Sequence, residues 1–205
     1  MTADPATPPR RVVIAEDEAL IRLDLAEMLV DEGYDVVAQA GDGQTAIELA
    51  EQHRPDLVVL DVKMPRLDGI AAAQRIAEQR IAPVVILTAF SQRALVDLAR
   101  DAGAMAYLVK PFTQTDLVPA IEMAVSRFSE LRLLETEVAD LTDRLETRKA
   151  VDRAKSVLQQ QLSLSEPDAF CWIQKTAMDL RLSMRQVADG VIAHGPSVAG
   201  GVDPS

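Results

Sequence analysis

The 205-residue sequence has one cysteine, one tryptophan and two histidines, and only 3% of it is aromatic. Cys171 has no second cysteine to form an intrachain disulfide and no neighbouring His and Cys at metal-ligand spacing, so the chain suits a reducing compartment. A lone cysteine of this kind is expected as a small buried hydrophobe. His53 and His194 are expected to be solvated. No run approaches the roughly 20 apolar residues that cross a bilayer. Met1 to Arg10 carries prolines where a signal peptide would carry an apolar stretch. The expectation is a cytoplasmic protein without a membrane partner. With 48% hydrophobic residues and so few aromatics, the core must be built from Ala, Val, Leu and Ile. A net charge of -11 opposes polyanion binding over the whole surface, so any contact with nucleic acid must be a local basic patch.

What is present is an alternation. The β-branched runs Val12-Val13-Ile14-Ala15, Val36-Val37-Ala38, Leu57-Val58-Val59-Leu60, Val84-Val85-Ile86-Leu87 and Tyr107-Leu108-Val109 predict five strands. Between them, Glu18 to Asp31, Gly43 to His53, Ile70 to Gln79 and Gln92 to Asp101 have apolar residues at helical spacing, such as Leu20, Leu23 and Ala26, or Ala46, Ile47 and Ala50. Strands that are apolar on both faces and separated by helices predict an α/β domain, a five-stranded parallel sheet covered on both sides, over residues 11–125. Residues 1–10 are expected to be disordered.

After Pro111, Thr113-Gln114-Thr115-Asp116 can cap a fifth helix beginning near Asp116, and no stop signal follows. Leu131, Leu134, Val138, Leu141 and Leu145 then recur at alternating spacings of three and four, within a connecting helix over 126–145. Two readings fit this seam: a helix packed within the chain, or a coiled-coil contact in a homodimer. The helical pattern continues to about Leu162. Ser165-Glu166-Pro167-Asp168 starts another helix, with Ser165 as its cap, and Leu182-Ser183-Met184-Arg185 opens a last one. These predict a small three-helix all-α domain over 146–194, before a Gly, Pro and Ser-rich tail, 195–205, expected to be disordered.

In an open α/β sheet, ligands gather beyond the carboxyl ends of the strands. Five polar residues stand there: Glu16 and Asp17 after the first strand, Asp61 after the third, Thr88 after the fourth and Lys110 after the fifth. Three carboxylates in one place repel one another unless a hard divalent cation joins them, and Mg²⁺ favours such a site. Lys110 and Thr88 suit the oxygens of a phosphoryl group on Asp61. Residues at these spacings resemble the receiver domain of bacterial two-component response regulators, a flavodoxin-like doubly wound fold. The resemblance implies that Asp61 is the phosphoacceptor. It also implies that Glu16, Asp17, Asp61 and the main-chain carbonyl of Lys63 hold Mg²⁺, and that Thr88, Tyr107 and Lys110 form the switch. Met64-Pro65, Asp68-Gly69 and Pro111, which is often cis in the family, fit the same pattern. The implied phosphoryl donor is a sensor histidine kinase. Two enzymes that also use aspartyl phosphates are excluded. A haloacid-dehalogenase-like phosphatase needs an Asp at position 63, where Lys stands, and a nucleotide hydrolase needs a glycine-rich phosphate loop. No multiple-turnover enzyme is expected.

Residues 146–194 hold seven Lys or Arg against six Asp or Glu, so the acidity of the chain lies elsewhere. Arg148, Lys149, Arg153 and Lys155 fall within two helical turns, either as a patch for a polyanion or as a solvated face paired with Glu146 and Asp152. The pattern Arg148-x-x-Val151-Asp152-x-Ala154-Lys155-x-x-Leu158, then Leu164-Ser165-Glu166-x-x-Ala169-Phe170 and Ala177-Met178, resembles the ANTAR domain, an RNA-binding module of antiterminators. Ser156 and Gln159 stand where that family usually has Gly and Met. The resemblance implies binding of RNA stem-loops, usually as a dimer, through the seam or through this domain, with transcription antitermination as the output. A DNA-binding helix-turn-helix would want a cationic final helix, and Ser183 to Ala193 offers only Arg185. A protein-interaction output is the other alternative.

Overall fold

The computed structural model describes residues 8–89 and 93–196, with only the backbone for 93–96. In chain order it contains β1 (Arg11–Ala15), α1 (Ala19–Asp31), β2 (Asp35–Ala40), α2 (Gly43–His53), β3 (Leu57–Asp61) and α3 (Gly69–Glu78). There follow β4 (Val84–Thr88), α4 (Arg93–Asp101), β5 (Ala106–Val109), α5 (Gln114–Leu162), α6 (Glu166–Leu180) and α7 (Met184–His194). All strand pairs are parallel, in the order β2-β1-β3-β4-β5. Of the segments expected to be disordered, 1–7 and 197–205 lie outside the described residues. Arg10 joins the edge of the sheet, where its carbonyl accepts from the Asp35 N–H at 2.9 Å.

The period of two in the strands divides one apolar sequence between two cores. Val13, Ala15, Val58, Leu60, Val84 and Ile86 face Ala46, Ile47 and Ala50 of α2 and Ala72, Ala73 and Ile76 of α3. Val12, Ile14, Leu57, Val59, Val85 and Leu87 face Leu25 and Leu29 of α1 and Leu117, Ile121 and Ala124 of α5. Burying side chains such as Leu25, Leu117 or Ile121 contributes about 1.5–3 kcal/mol each, enough to fix which face each helix covers. On α1 the covered face differs from the one the sequence suggests: Leu20 and Leu23 are 78% and 51% exposed, because the i, i+4 pair Leu25 and Leu29 takes the sheet side.

The chain divides into two compact units, residues 1–132 and 133–205. In the second, Val151, Ala154 and Leu158 of α5 meet Ala169, Ile173 and Ala177 of α6 and Val187, Ala188 and Val191 of α7. Ser165 caps α6 by accepting from Asp168 N–H, and Ser183 forms a reciprocal capping box with Gln186 on α7. Cys171, expected in the core, is exposed: the four-residue spacing of Ala169, Ile173 and Ala177 puts position 171 on the opposite side of α6. Of the five seam positions on α5, Leu131 is half-buried and the other four are exposed. Leu134, Val138, Leu141 and Leu145 are 53–62% exposed, so the reading of this seam as a helix packed within the chain is not what the structure shows. No helix among the described residues is long and apolar enough to cross a membrane.

Candidate phosphoacceptor site and output surface

The reversal of strand order at β1 and β3 opens a crevice beyond their carboxyl ends. Glu16 and Asp17 leave β1 there, and Asp61 closes β3. Oxygens of all three carboxylates lie within 4.8 Å of one another; Glu16 is 1% exposed and Asp61 6%, while Asp17 is open to solvent. Lys110 stands one residue past β5, its N–H bonded to the Thr88 carbonyl at 2.7 Å, followed by the cis Lys110-Pro111 peptide. Its ammonium lies 2.5 Å from both Asp61 Oδ1 and Glu16 Oε2. Thr88 is buried at the end of β4, and Tyr107 on β5 is 47% exposed, turned toward solvent.

Electrostatics explain this arrangement. Burial raises the Glu16 carboxyl above the usual carboxylate range and the nearby Asp61 charge adds to it, while the Lys110 hydrogen bond pulls the other way. For Lys110, burial acts to lower the ammonium, but its hydrogen bonds to Asp61 and Glu16 outweigh that and raise it. The Lys110 contact with Glu16 was not anticipated from the sequence, which places Lys110 only against a phosphoryl group. No linear signal relates two side chains 94 residues apart.

The loop after β3 is clamped from two sides. Lys63 N–H donates to Asp61 Oδ2 at 2.7 Å, which puts the Lys63 main chain at the rim of the acceptor. Gly69 N–H donates to the Val62 carbonyl at 2.9 Å, and a Cβ at position 69 would stand 1.9 Å from the Asp61 carbonyl oxygen, so only glycine fits. On the outer side, buried Asp42 caps α2 through the Thr45 N–H and Oγ1 and also accepts from Arg66. The Gly43 N–H bonds the Leu67 carbonyl at 3.1 Å. Asp42 and Arg66, missed in the sequence, tie this loop to α2.

The donor set fits Mg²⁺. That ion takes oxygens at about 2.0–2.1 Å, and the three carboxylates here each offer an oxygen within 4.8 Å of the others, so they can converge on one ion. With Lys110 counted, the cluster carries two net negative charges, which one divalent cation cancels.

In the second unit the four basic residues near 148–155 have different surroundings. Lys155 is only 16% exposed and is held by Asp152 and Glu166, both at 2.8 Å, joining α5 to the start of α6. Lys149 pairs with Glu146 at 2.9 Å. Arg148 and Arg153 are exposed and form no hydrogen bond or ion pair among the described residues, although their charges act on the Asp152 and Glu146 carboxyls respectively. Arg185, the one cation of α7, pairs with Asp143 at 2.9 Å and with Asp189 at 3.8 Å, which weakens the case for α7 as a DNA-reading helix.

Residues 12–122 match the response regulator receiver domain family, and residues 139–192 match the ANTAR domain family. The transcriptional regulatory protein PdtaR of Mycobacterium tuberculosis is 67% identical over 187 residues, covering 91% of this chain and 91% of that protein. Chemotaxis protein CheY of Bacillus subtilis is 36% identical over 117 residues, 57% of this chain and 98% of that protein. Among solved structures, a two-component response regulator of the LuxR family from Aurantimonas superposes with a TM-score of 0.55 at 31% identity, covering 58% of this chain and 86% of that one. CheY in the CheX-CheY-BeF3-Mg complex from Borrelia burgdorferi superposes at 0.53 and 28%, covering 55% and 87%. The strand order, the acidic cluster and these similarities agree: the chain belongs to the response regulators, with an N-terminal receiver domain and a C-terminal RNA-binding ANTAR domain of the antiterminator type.

Proposed function

We propose that Asp61 is the phosphoacceptor, that Glu16, Asp17, Asp61 and the Lys63 carbonyl bind Mg²⁺, and that Thr88, Tyr107 and Lys110 read the phosphoryl group. The observation that carries this is the ammonium of Lys110 held 2.5 Å from both Asp61 and Glu16 inside a three-carboxylate cluster. With a sensor histidine kinase as donor, an Asp61 oxygen attacks phosphorus, the P–N bond of the phosphohistidine breaks, and the departing imidazole keeps the electron pair of that bond. Bound Mg²⁺ supplies charge neutralisation for the oxygens in transfer. Lys110 exchanges its contact with the acceptor carboxylate for one with a phosphoryl oxygen, which keeps the positive charge beside the growing negative one. Thr88 offers its hydroxyl to a second oxygen, and Tyr107 moves into the space left behind, which alters the β4–β5 face. No substrate turns over at this site.

The output we propose is the binding of RNA stem-loops, with Arg148, Lys149, Arg153 and Lys155 as candidate phosphate contacts. Their surroundings rank them: Arg148 and Arg153 are exposed and need to leave no hydrogen bond or ion pair among the described residues to meet phosphate, Lys149 must leave Glu146, and Lys155 acts chiefly as a tie between α5 and α6. The exposed Leu134, Val138, Leu141 and Leu145 support a homodimer through 131–145, since a bare stripe at heptad spacing is what a parallel partner covers. Because α5 contributes to the core of both units, a change at the receiver can reach the output through that helix. The test is phosphorylation of the full chain by an acyl phosphate with Mg²⁺, read as incorporated label, oligomeric state by light scattering, and affinity for RNA. A gain in the last two that depends on Asp61 supports the reading. Incorporation without either gain sinks the coupling.

A further inference from the structure

The loop from Val62 to Asp68, between β3 and α3, carries the Lys63 carbonyl, and its far end is pinned to α2. Asp42, the cap of α2, is buried, and its carboxylate accepts from the Thr45 N–H and hydroxyl and from the Arg66 guanidinium. Arg66 also donates to the Thr45 hydroxyl at 3.1 Å. Beside this contact the Gly43 N–H bonds the Leu67 carbonyl, in an approach so close that a Cβ at position 43 would collide with that oxygen. Arg66 reaches Asp42 from a φ of 64°, a left-handed conformation that a residue with a side chain adopts at a cost.

Four bonds hold the loop. At its base the Lys63 N–H donates to Asp61 and the Gly69 N–H to the Val62 carbonyl; at its tip Leu67 and Arg66 are tied to α2. Of these, only the Arg66–Asp42 pair joins two side chains, so it is the one that a substitution can remove while the backbone groups stay. Its part in folding is small: the Arg66 side chain is 67% exposed, and Asp42 keeps both Thr45 bonds without it. Its place in the loop is another matter, because position 66 stands three residues from position 63. Mg²⁺ demands a nearly ideal octahedron, so a main-chain ligand that drifts costs it affinity. Groups that orient metal ligands from behind are typically worth about 10- to 100-fold in affinity.

We propose that Arg66 is a positioning residue for Mg²⁺: anchored on Asp42, it fixes the loop that carries the Lys63 carbonyl and so sets the affinity of the acceptor site for the ion. The inference rests on the reading of Glu16, Asp17, Asp61 and the Lys63 carbonyl as Mg²⁺ ligands. It extends that reading to α2, which supplies none of the three carboxylates. By linkage, Mg²⁺ strengthens the contact between Arg66 and Asp42 by the same factor as the contact strengthens the binding of Mg²⁺.

The experiment titrates the full chain with Mg²⁺ alone, by calorimetry, and melts the metal-free protein in parallel. Arg66→Ala is expected to weaken Mg²⁺ binding by about 10- to 100-fold. Its melting midpoint should stay within about 4 °C of the parent. Asp42→Asn keeps an oxygen for the Thr45 N–H but turns a donor toward Arg66, so it should lose the same factor. The double variant should lose no more than either single one, because both break one contact. Arg66→Lys, which keeps a positive charge against Asp42, should retain most of the affinity. Arg75→Ala removes a 3.3 Å hydrogen bond from α3 to Gln44 of α2 without touching the loop, and should bind Mg²⁺ like the parent. When label is incorporated from an acyl phosphate, the Mg²⁺ concentration giving half the maximal rate should rise with Arg66→Ala by the factor seen in calorimetry, while the rate at saturating Mg²⁺ is kept. If Arg66→Ala melts early, Arg66→Asn, which is more at ease at positive φ, should show the same loss of affinity with normal melting. Parental Mg²⁺ affinity in both Arg66→Ala and Arg66→Asn overturns the proposal and leaves the metal reading standing. A loss that Asp42→Asn does not share, or that Arg75→Ala does share, also overturns it. If the unsubstituted chain binds no Mg²⁺, the metal reading fails and the inference fails with it.

Discussion

The two regions that carry charge in this protein use it in opposite ways. At the receiver site Glu16 and Asp61 are buried, and the half-buried Lys110 binds both. On the output helix Arg148 and Arg153 are exposed, with no hydrogen bond or ion pair among the described residues, and Lys149 pairs with Glu146 in solvent. Buried charges have lost their water, so each must be compensated by a neighbour, and that makes the receiver cluster a switch: adding a phosphoryl group upsets a balance already struck. Exposed charges remain hydrated and screened, so they are individually weak in folding but available to a polyanion.

The contrast can be broken most completely at the acceptor. Asp61→Asn is expected to abolish incorporation of label from an acyl phosphate while circular dichroism stays native; label retained by this variant would move the acceptor elsewhere. Next in size is a paired comparison of lysines. Lys110→Met leaves two buried carboxylates uncompensated and is expected to cost about 3–5 kcal/mol of stability. Lys149→Met is expected to leave the urea midpoint where it is. Similar midpoints for the two variants would show that the receiver cluster is not electrostatically poised.

The same contrast applies to leucines on one helix. Leu158 of α5 is fully buried and Leu141 is 57% exposed. Leu158→Ala is expected to cost about 2–5 kcal/mol. Leu141→Ala is expected to have little effect on the monomer but to weaken self-association, as read by sedimentation across a range of protein concentrations. Loss of folding stability at Leu141 in a strictly monomeric sample would count against the bare seam.

The smallest expected effect concerns pH. Burial acts to raise the Asp42 carboxyl, but the Thr45 hydrogen bonds and the Arg66 guanidinium outweigh it and hold it below the usual range. A carboxyl depressed in the folded state contributes stability above its unfolded value of about 3.9, and that contribution disappears as pH falls through the folded value. Asp42→Asn, which keeps a capping side chain, should therefore be less stable than the parent near neutral pH by about 1 kcal/mol or less and converge with it in acid. Melting curves at both pH values would show this; a gap that widens in acid would reverse the sign.

Some of this was legible in the linear chain. The strands Val12 to Ala15 and Val84 to Leu87 were found by their apolar, β-branched character, and the acceptor cluster by its position directly after strands. Ser165 and Ser183 announced their helices, because a capping bond reaches only three residues along the chain. The errors share one cause. Cys171, Leu20 and Leu23 are apolar residues for which periodicity offers more than one face, and only the packing partner selects which face is covered.

The sequence by itself determined the parallel α/β layout, the five chemical groups gathered at the strand ends and the cationic character of the output helix. All of these follow from local periodicity and from residue type at fixed spacing. Only the tertiary structure decided that Lys110 holds Glu16 as well as Asp61, that Asp42 and Arg66 clamp the acceptor loop, that Lys155 ties α5 to α6 through Glu166, and that Phe170 lies outside the core of its unit. These are relations between side chains distant in sequence. Their energies depend on separation and burial in three dimensions, quantities that a linear pattern does not carry.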